Sequence, residues 1–280
     1  MGNLKSIISR SIIEAKDTYV NVFGHFKYLL FMSLPAIFFM LIMEPLVVTF
    51  LGFSINDKNV ELMKANAVQL TLIMAPLVIL QLAYGAKAAR AWHILWLKGA
   101  PELMNYKLLS WTKSELQFFK TTLFYLLVLM LVTLLLLVLF LIVMGATTSV
   151  IAIFAASMSK AFVMPLILFF TFATMMAMMI CIMLFGLKRV FILPARALDN
   201  PIKMKLSKEL SKGHIKHIVV TMLFTAGPIM LLSTGLQALS ENMSSDVVST
   251  LLNTVSYVLG FVVSMLTVYV VCRYYEIITR

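Results

Sequence analysis

Residues 121–145 read TTLFYLLVLMLVTLLLLVLFLIVMG. The stretch holds no charged residue and presents no polar stripe to water whichever way a helix through it is turned. About 20 such residues cross the hydrocarbon core of a bilayer. No water is available there to satisfy backbone groups, so the segment must bond to itself as a helix.

Five more runs share this character: residues 28–52, 67–88, 161–187, 218–239 and 247–272. Each is much longer than a core strand. The 280-residue chain is 61% hydrophobic and 12% charged, with mean hydropathy +0.98. A water-soluble domain carries about 25% charged residues, and no part of this sequence is polar enough to be one. The expected fold is all-α: a polytopic membrane helix bundle with six transmembrane helices in three hairpins. An interfacial amphipathic helix is expected before each hairpin, and residues 1–280 are expected to form a single membrane domain.

The basic residues report orientation. Of the 23 Lys and Arg, 20 fall in the N-terminal segment, the second and fourth connections and the C-terminal tail. The other connections hold the remaining three. Cytoplasmic loops are enriched in Lys and Arg, so both termini are expected in the cytoplasm. This pattern also accounts for the net charge of +11; nucleic acid is not expected as a partner. The first apolar run is too long and begins too far into the chain for a signal-peptide core.

Three basic-side stretches have the amphipathic spacing of interfacial helices. In the first, Leu4, Ile8, Ile12, Ala15, Tyr19, Val22 and Phe26 form the apolar face. The second contains Thr112-Lys113-Ser114-Glu115, a capping box leading into the third span. In the third, Asn200 is placed to cap, Pro201 to open the first turn and Gly213 to end the helix. All three tryptophans, Trp92, Trp96 and Trp111, lie in the second cytoplasmic segment, which is expected to lie along the membrane.

A faint repeat runs through these starts. Gly24-His25-Phe26-Lys27 precedes the first span and Gly213-His214-Ile215-Lys216 the fifth; Gln117-Phe118-Phe119-Lys120 holds the matching place before the third. The units implied are residues 1–93, 94–190 and 191–280. All begin on the same side, unlike the inverted pairs of alternating-access transporters.

Two stretches carry a family resemblance. They are Ala91-Trp92-His93-Ile94-Leu95-Trp96-Leu97-Lys98-Gly99 with Ser114-Glu115-Leu116-Gln117-Phe118-Phe119, and Arg189-Val190-Phe191-Ile192-Leu193-Pro194-Ala195-Arg196-Ala197. With the overall layout, they resemble the membrane domain of bacterial glycerophosphoryl diester phosphodiesterases and the YciC-like inner-membrane proteins. The resemblance implies six spans in a bacterial cytoplasmic membrane. The phosphodiesterase barrel, with its His and acidic metal ligands, has no counterpart in this sequence, so the resemblance carries over no catalytic residue.

Few residues could do chemistry. Glu44 is the acid lying inside a span, and a charged side chain at mid-membrane costs about 2.5–3.5 kcal/mol. Its position, toward the outer end of its helix, suits either an interfacial acid or a proton or substrate site. Lys160, at similar depth, is a candidate partner. Gln69, Gln81, Asn253 and Ser256 suit hydrogen bonds between helices. Pro35, Pro76, Pro165 and Pro228 fall within spans and suit kinks. The cysteines, Cys181 and Cys272, are far apart, and His214 and His217 have no third ligand nearby, so neither metal nor other cofactor is expected. No nucleophile and base pair is visible, so an enzyme is not expected.

The basic run after the fourth span is the remaining feature. Arg189, Arg196, Lys203, Lys205, Lys208, Lys212 and Lys216 are candidate contacts for anionic lipid headgroups, each worth about 1 kcal/mol near the surface. The expected role is that of a lipid- or partner-binding membrane component, the partner being another membrane protein. The alternative is a transporter or channel for a small molecule or lipid.

Overall fold

The computed structural model describes residues 4–52, 60–103, 106–155, 160–243 and 246–280. These residues form helices joined by short turns, with no strand among the described residues. In chain order the helices are α1 (Leu4–Gly24), α2 (Phe26–Leu51), α3 (Val60–Ala65), α4 (Ala67–Lys98), α5 (Lys113–Ala155), α6 (Lys160–Leu187), α7 (Ile192–Ala197), α8 (Met204–Ser211), α9 (Ile215–Thr225), α10 (Gly227–Glu241) and α11 (Asp246–Thr279). A 3-10 turn at Ala100–Leu103 follows α4.

The expected all-α bundle of three hairpins is present: α2 packs on α4, α5 on α6, and the α9–α10 pair on α11. Helices α2, α4, α5, α6 and α11 are each long and apolar enough to cross a membrane. In α4, α5 and α6 the most apolar 18-residue window contains no buried residue. Leu, Phe, Met and Val side chains instead point outward along α5 from Leu116 to Val150 and along α6 from Met164 to Met183. Apolar surface this continuous is incompatible with water and compatible with lipid.

The expected fifth span is not one straight helix. Its first part, Ile215–Thr225, and its second, Gly227–Ser240, meet at 47°. Pro228 stands in the first turn of α10. It has no N–H for the carbonyl four residues back, and its ring clashes with that carbonyl. Pro35, Pro76 and Pro165 sit inside α2, α4 and α6 without ending them.

The buried core lies at the end of the bundle that carries most of the Lys and Arg. One cluster joins Val22 and Leu29 to Trp92, Leu95, Met265 and Leu266. A second gathers Phe191, Ala195, Ile218, Val271, Tyr274 and Tyr275. Here α7 wedges between α4 and α5, with Ala195 and Ala197 almost fully buried.

Three local expectations change. First, residues 89–98 do not form a separate segment along the membrane but continue α4 as one helix of about 48 Å at ~1.5 Å per residue. Trp92 is buried in the core, and its indole N–H donates to the Leu29 carbonyl at 3.4 Å. Second, α1 turns Ser11, Ala15, Thr18 and Val22 inward, leaving Ile12, Ile13, Val20 and Phe23 exposed. Small inward residues let α1 approach α9 closely. Third, α8 begins at Met204, and the residue before it, Lys203, is extended. Asn200 and Pro201 therefore neither cap nor open the helix; a proline forces the residue before it toward extended backbone. Gly213 does end this unit, at φ +92.

Candidate functional site

The basic run from Lys188 to Lys216 becomes a groove because of how α8 is hung on the end of α6. Helix α8 has the sequence MKLSKELS, from Met204 to Ser211. Lys205, Lys208 and Lys212 are spaced three and four apart and share one helical face. Ser207 and Ser211 lie on the opposite face and are fully buried. The Ser211 hydroxyl donates to the Lys188 carbonyl at 3.2 Å, which pins the end of α8 over the exit of α6. Gly213 then lets the chain reverse into α9: φ +92 is a left-handed conformation that costs a residue with a Cβ about 1–2 kcal/mol.

Two hollows result. The larger, about 410 Å³, is lined by Lys188, Lys205, Lys208, Glu209, Lys212 and Ile215. The smaller, about 280 Å³, is lined by Cys181, Leu184, Phe185, Lys188, Arg189 and Lys208. They share Lys188 and Lys208 and adjoin as a groove between α6 and α8. Its floor follows the face of α6 that carries Cys181, Leu184 and Phe185. The Arg189 guanidinium lies 3.7 Å from the centre of the Phe185 ring and donates to the Phe185 carbonyl at 3.1 Å. That leaves most of its five N–H groups for a ligand.

Among the described residues the lining contains five cations and one acid. Like charges lining one groove repel; an anion among them relieves the repulsion.

The seven expected lipid contacts divide. Arg189, Lys205, Lys208 and Lys212 line the groove. Lys203 and Lys216 are exposed outside its lining. Arg196 is not a surface contact: it donates to the Gln117 side chain at 2.6 Å, tying α7 to α5. On the other side of that wedge Arg90 meets Asp199 at 3.1 Å, with Asp199 at φ +60. Lys188 belongs to the site although it was not among the expected contacts. Its place directly after a span was the available signal. The side chains of the candidate pair Glu44 and Lys160 lie outside the described residues.

Other polar groups serve packing. Asn253 accepts from the Ser240 hydroxyl and Ser256 pairs with Ser233, each at 2.7 Å, joining α10 to α11 as expected. Gln69 and Gln81 show no such partner among the described residues. Sequence reading missed the largest buried cation, Lys87, whose side chain is fully buried. It faces the Glu115 carboxylate at 3.5 Å, donates to the Ser110 carbonyl, and lies 5.3 and 5.4 Å from the Tyr106 and Trp111 rings. Burial, followed by the Glu115 charge, raises the Tyr106 hydroxyl pKa above its ordinary value. Glu115 also completes the expected capping box: it accepts from the Thr112 N–H at 2.6 Å, while its own N–H donates to Thr112 Oγ1 at 3.2 Å.

His93 Nδ1 and Cys272 Sγ are 2.8 Å apart in the core. No group of three or more His, Cys, Asp or Glu that could hold a metal occurs among the described residues. A cleft of about 780 Å³ opens beside the start of α2, with Lys27 as its cation and Tyr28, Phe31, Met32 and Tyr106 in its walls. By charge, the α6–α8 groove is the stronger candidate.

Comparisons with protein-family models, with curated proteins and with solved structures gave no match.

Proposed function

We propose that this chain is a non-enzymatic integral protein of a bacterial inner membrane that binds anionic lipid headgroups through the α6–α8 groove. Both termini face the cytoplasm in this reading, following the bias of Lys and Arg to that side. The observation that carries the reading is the shared lining. Lys188, Lys205, Lys208 and Lys212 converge on a hollow with a single acid among its described lining residues, and the adjoining hollow lies on an apolar helix face. Cations above an apolar track match a molecule with an anionic head and a hydrocarbon tail. Each Lys or Arg near an anionic surface contributes about 1 kcal/mol.

Native mass spectrometry of the full-length protein, titrated with phosphatidylglycerol or phosphatidylcholine, tests the proposal. Phosphatidylglycerol should be retained more strongly, and the triple variant Lys205→Gln, Lys208→Gln, Lys212→Gln should lose the difference. Equal retention of the two lipids by the unaltered protein would overturn the reading.

The broken fifth span supports a second reading, a transporter, because such proteins bind substrates at interrupted helices. The break is occupied from within, however. Tyr19 of α1 donates its hydroxyl to the Thr225 carbonyl at 2.5 Å and lies 3.4 Å from that of Phe224. A substrate would have to displace it, so headgroup binding is the better supported reading.

A further inference from the structure

We infer that the groove takes a lipid carrying two phosphates close together, either as a diphosphate ester or as two phosphodiesters on a short bridge. This inference rests on the reading that the groove binds anionic headgroups, and it specifies which ones.

The groove is double. The hollow of about 410 Å³ and the hollow of about 280 Å³ each present cations, and Lys188 and Lys208 stand on the boundary between them. Lys205 and Lys212 belong to the first alone, Arg189 to the second alone. A single phosphate reaching both boundary lysines leaves either Arg189 or the Lys205–Lys212 pair without an anion. Two phosphates joined by a short link fill both hollows, with the boundary lysines between them.

Charge gives the same answer. Five cations against Glu209 leave four positive charges unbalanced. A phosphodiester lipid brings one negative charge; a lipid with two phosphates brings two or three. The chemistry at each hollow also differs. Lysine offers a compact ammonium on a flexible stem, while Arg189 is held against Phe185 and presents a fixed planar fork suited to phosphate oxygens.

The apolar end identifies the anchor. Cys181, Leu184 and Phe185 lie on one face of α6 directly below the smaller hollow, and Cys181 is exposed. Ala173 and Ala177 continue that face at four-residue spacing and are also exposed. Small side chains leave a shallow track down the helix for one hydrocarbon chain.

The test is native mass spectrometry of the full-length protein, titrated in parallel with cardiolipin, phosphatidylglycerol, a polyprenyl diphosphate and the matching monophosphate. Inorganic pyrophosphate serves as the soluble arm. At matched total charge, lipids with two phosphates should bind at least about tenfold tighter than their one-phosphate counterparts. Lys188→Gln and Lys208→Gln should bring that ratio near one, whereas Lys208→Arg should keep it. Circular dichroism melting confirms that each variant is folded. The better binder of cardiolipin and polyprenyl diphosphate identifies the link between the phosphates. Pyrophosphate competing as well as either lipid would assign the site to a soluble ligand and overturn the inference. Equal affinity for one- and two-phosphate lipids would also overturn it, while leaving the anionic-headgroup reading intact. No preference for any anionic lipid over phosphatidylcholine would remove both.

Discussion

The hydroxyl of Tyr19 reaches the carbonyl of Thr225, 206 positions away in sequence, at 2.5 Å. The contact lies where Pro228 breaks the fifth span, since a proline at 228 has no N–H for the carbonyl of Phe224. In a membrane an unsatisfied backbone group is expensive, and neighbouring side chains commonly take over. Tyr19 lies 3.4 Å from that Phe224 carbonyl and donates at 2.5 Å to the neighbouring Thr225 carbonyl, anchoring α1 to the bend between α9 and α10. The buried stripe Ser11, Ala15, Thr18 and Val22 holds α1 in place for it.

Replacing Tyr19 with Phe removes the donor and keeps the ring. Stability should fall by about 1–3 kcal/mol, the cost of a buried polar group left without its partner. Pro228→Ala restores an N–H to the helix, so Tyr19→Phe should cost clearly less in that background. Thermal unfolding of the four proteins in one detergent measures the coupling. Strict additivity would show that Tyr19 does not act through the break.

A second prediction concerns Lys87 and Glu115. Breaking a buried ion pair by removing one partner costs about 3–5 kcal/mol, because the other charge stays buried. Lys87→Met should therefore destabilise the basic end strongly. Glu115→Gln should cost nearly as much at Lys87 but keep the cap on α5, since glutamine serves in a capping box. Thr112→Ala tests the cap alone and should cost about 1 kcal/mol. Hydrogen exchange at the first turn of α5 separates the two roles. Exposure there in Thr112→Ala but not in Glu115→Gln is the expected pattern, and the reverse would refute the assignment.

What could be read from the sequence was what depends on neighbours along the chain. The apolar runs, the lysine bias and the box at Thr112 and Glu115 are local patterns, and the helices lie close to where they were expected. The basic run was also visible, because four of its seven candidate residues do meet in one groove. What could not be read was contact across the fold. Lys87 looked like an ordinary cation at the foot of a span until Tyr106, Trp111 and Glu115 returned over it. Arg196 looked like a lipid contact because nothing in its neighbourhood announces Gln117, 79 positions earlier. Pro228 signalled a kink, but its size depends on whether a neighbour satisfies the freed carbonyls, and that neighbour is on α1.

The proposed orientation yields a third prediction. Single cysteines at Lys64 and at Lys203, in a background lacking Cys181 and Cys272, should label from opposite sides. Lys64→Cys should react with a membrane-impermeant maleimide added to intact cells from outside. Lys203→Cys should react only after permeabilisation. Labelling of both from the same side would refute the six-crossing arrangement.

The last prediction joins backbone conformation to the site. Gly213 holds φ +92, and no atom lies within 4 Å of where a Cβ would stand. Space is therefore not the obstacle; the dihedral is. Gly213→Ala should destabilise the protein by about 1–2 kcal/mol through that strain alone. Gly213→Asn should cost less, because asparagine tolerates the left-handed region. The turn also fixes where Lys212 ends relative to Lys188, through the Ser211 hydroxyl on the Lys188 carbonyl. Relaxing the strain by shifting α8 should widen the groove and weaken phosphatidylglycerol binding in Gly213→Ala more than in Gly213→Asn. Lipid retention by native mass spectrometry, set beside melting temperature for the two variants, checks this. If both lost stability in the expected order while lipid retention stayed at the level of the unaltered protein, the turn would be shown to hold the fold without shaping the groove.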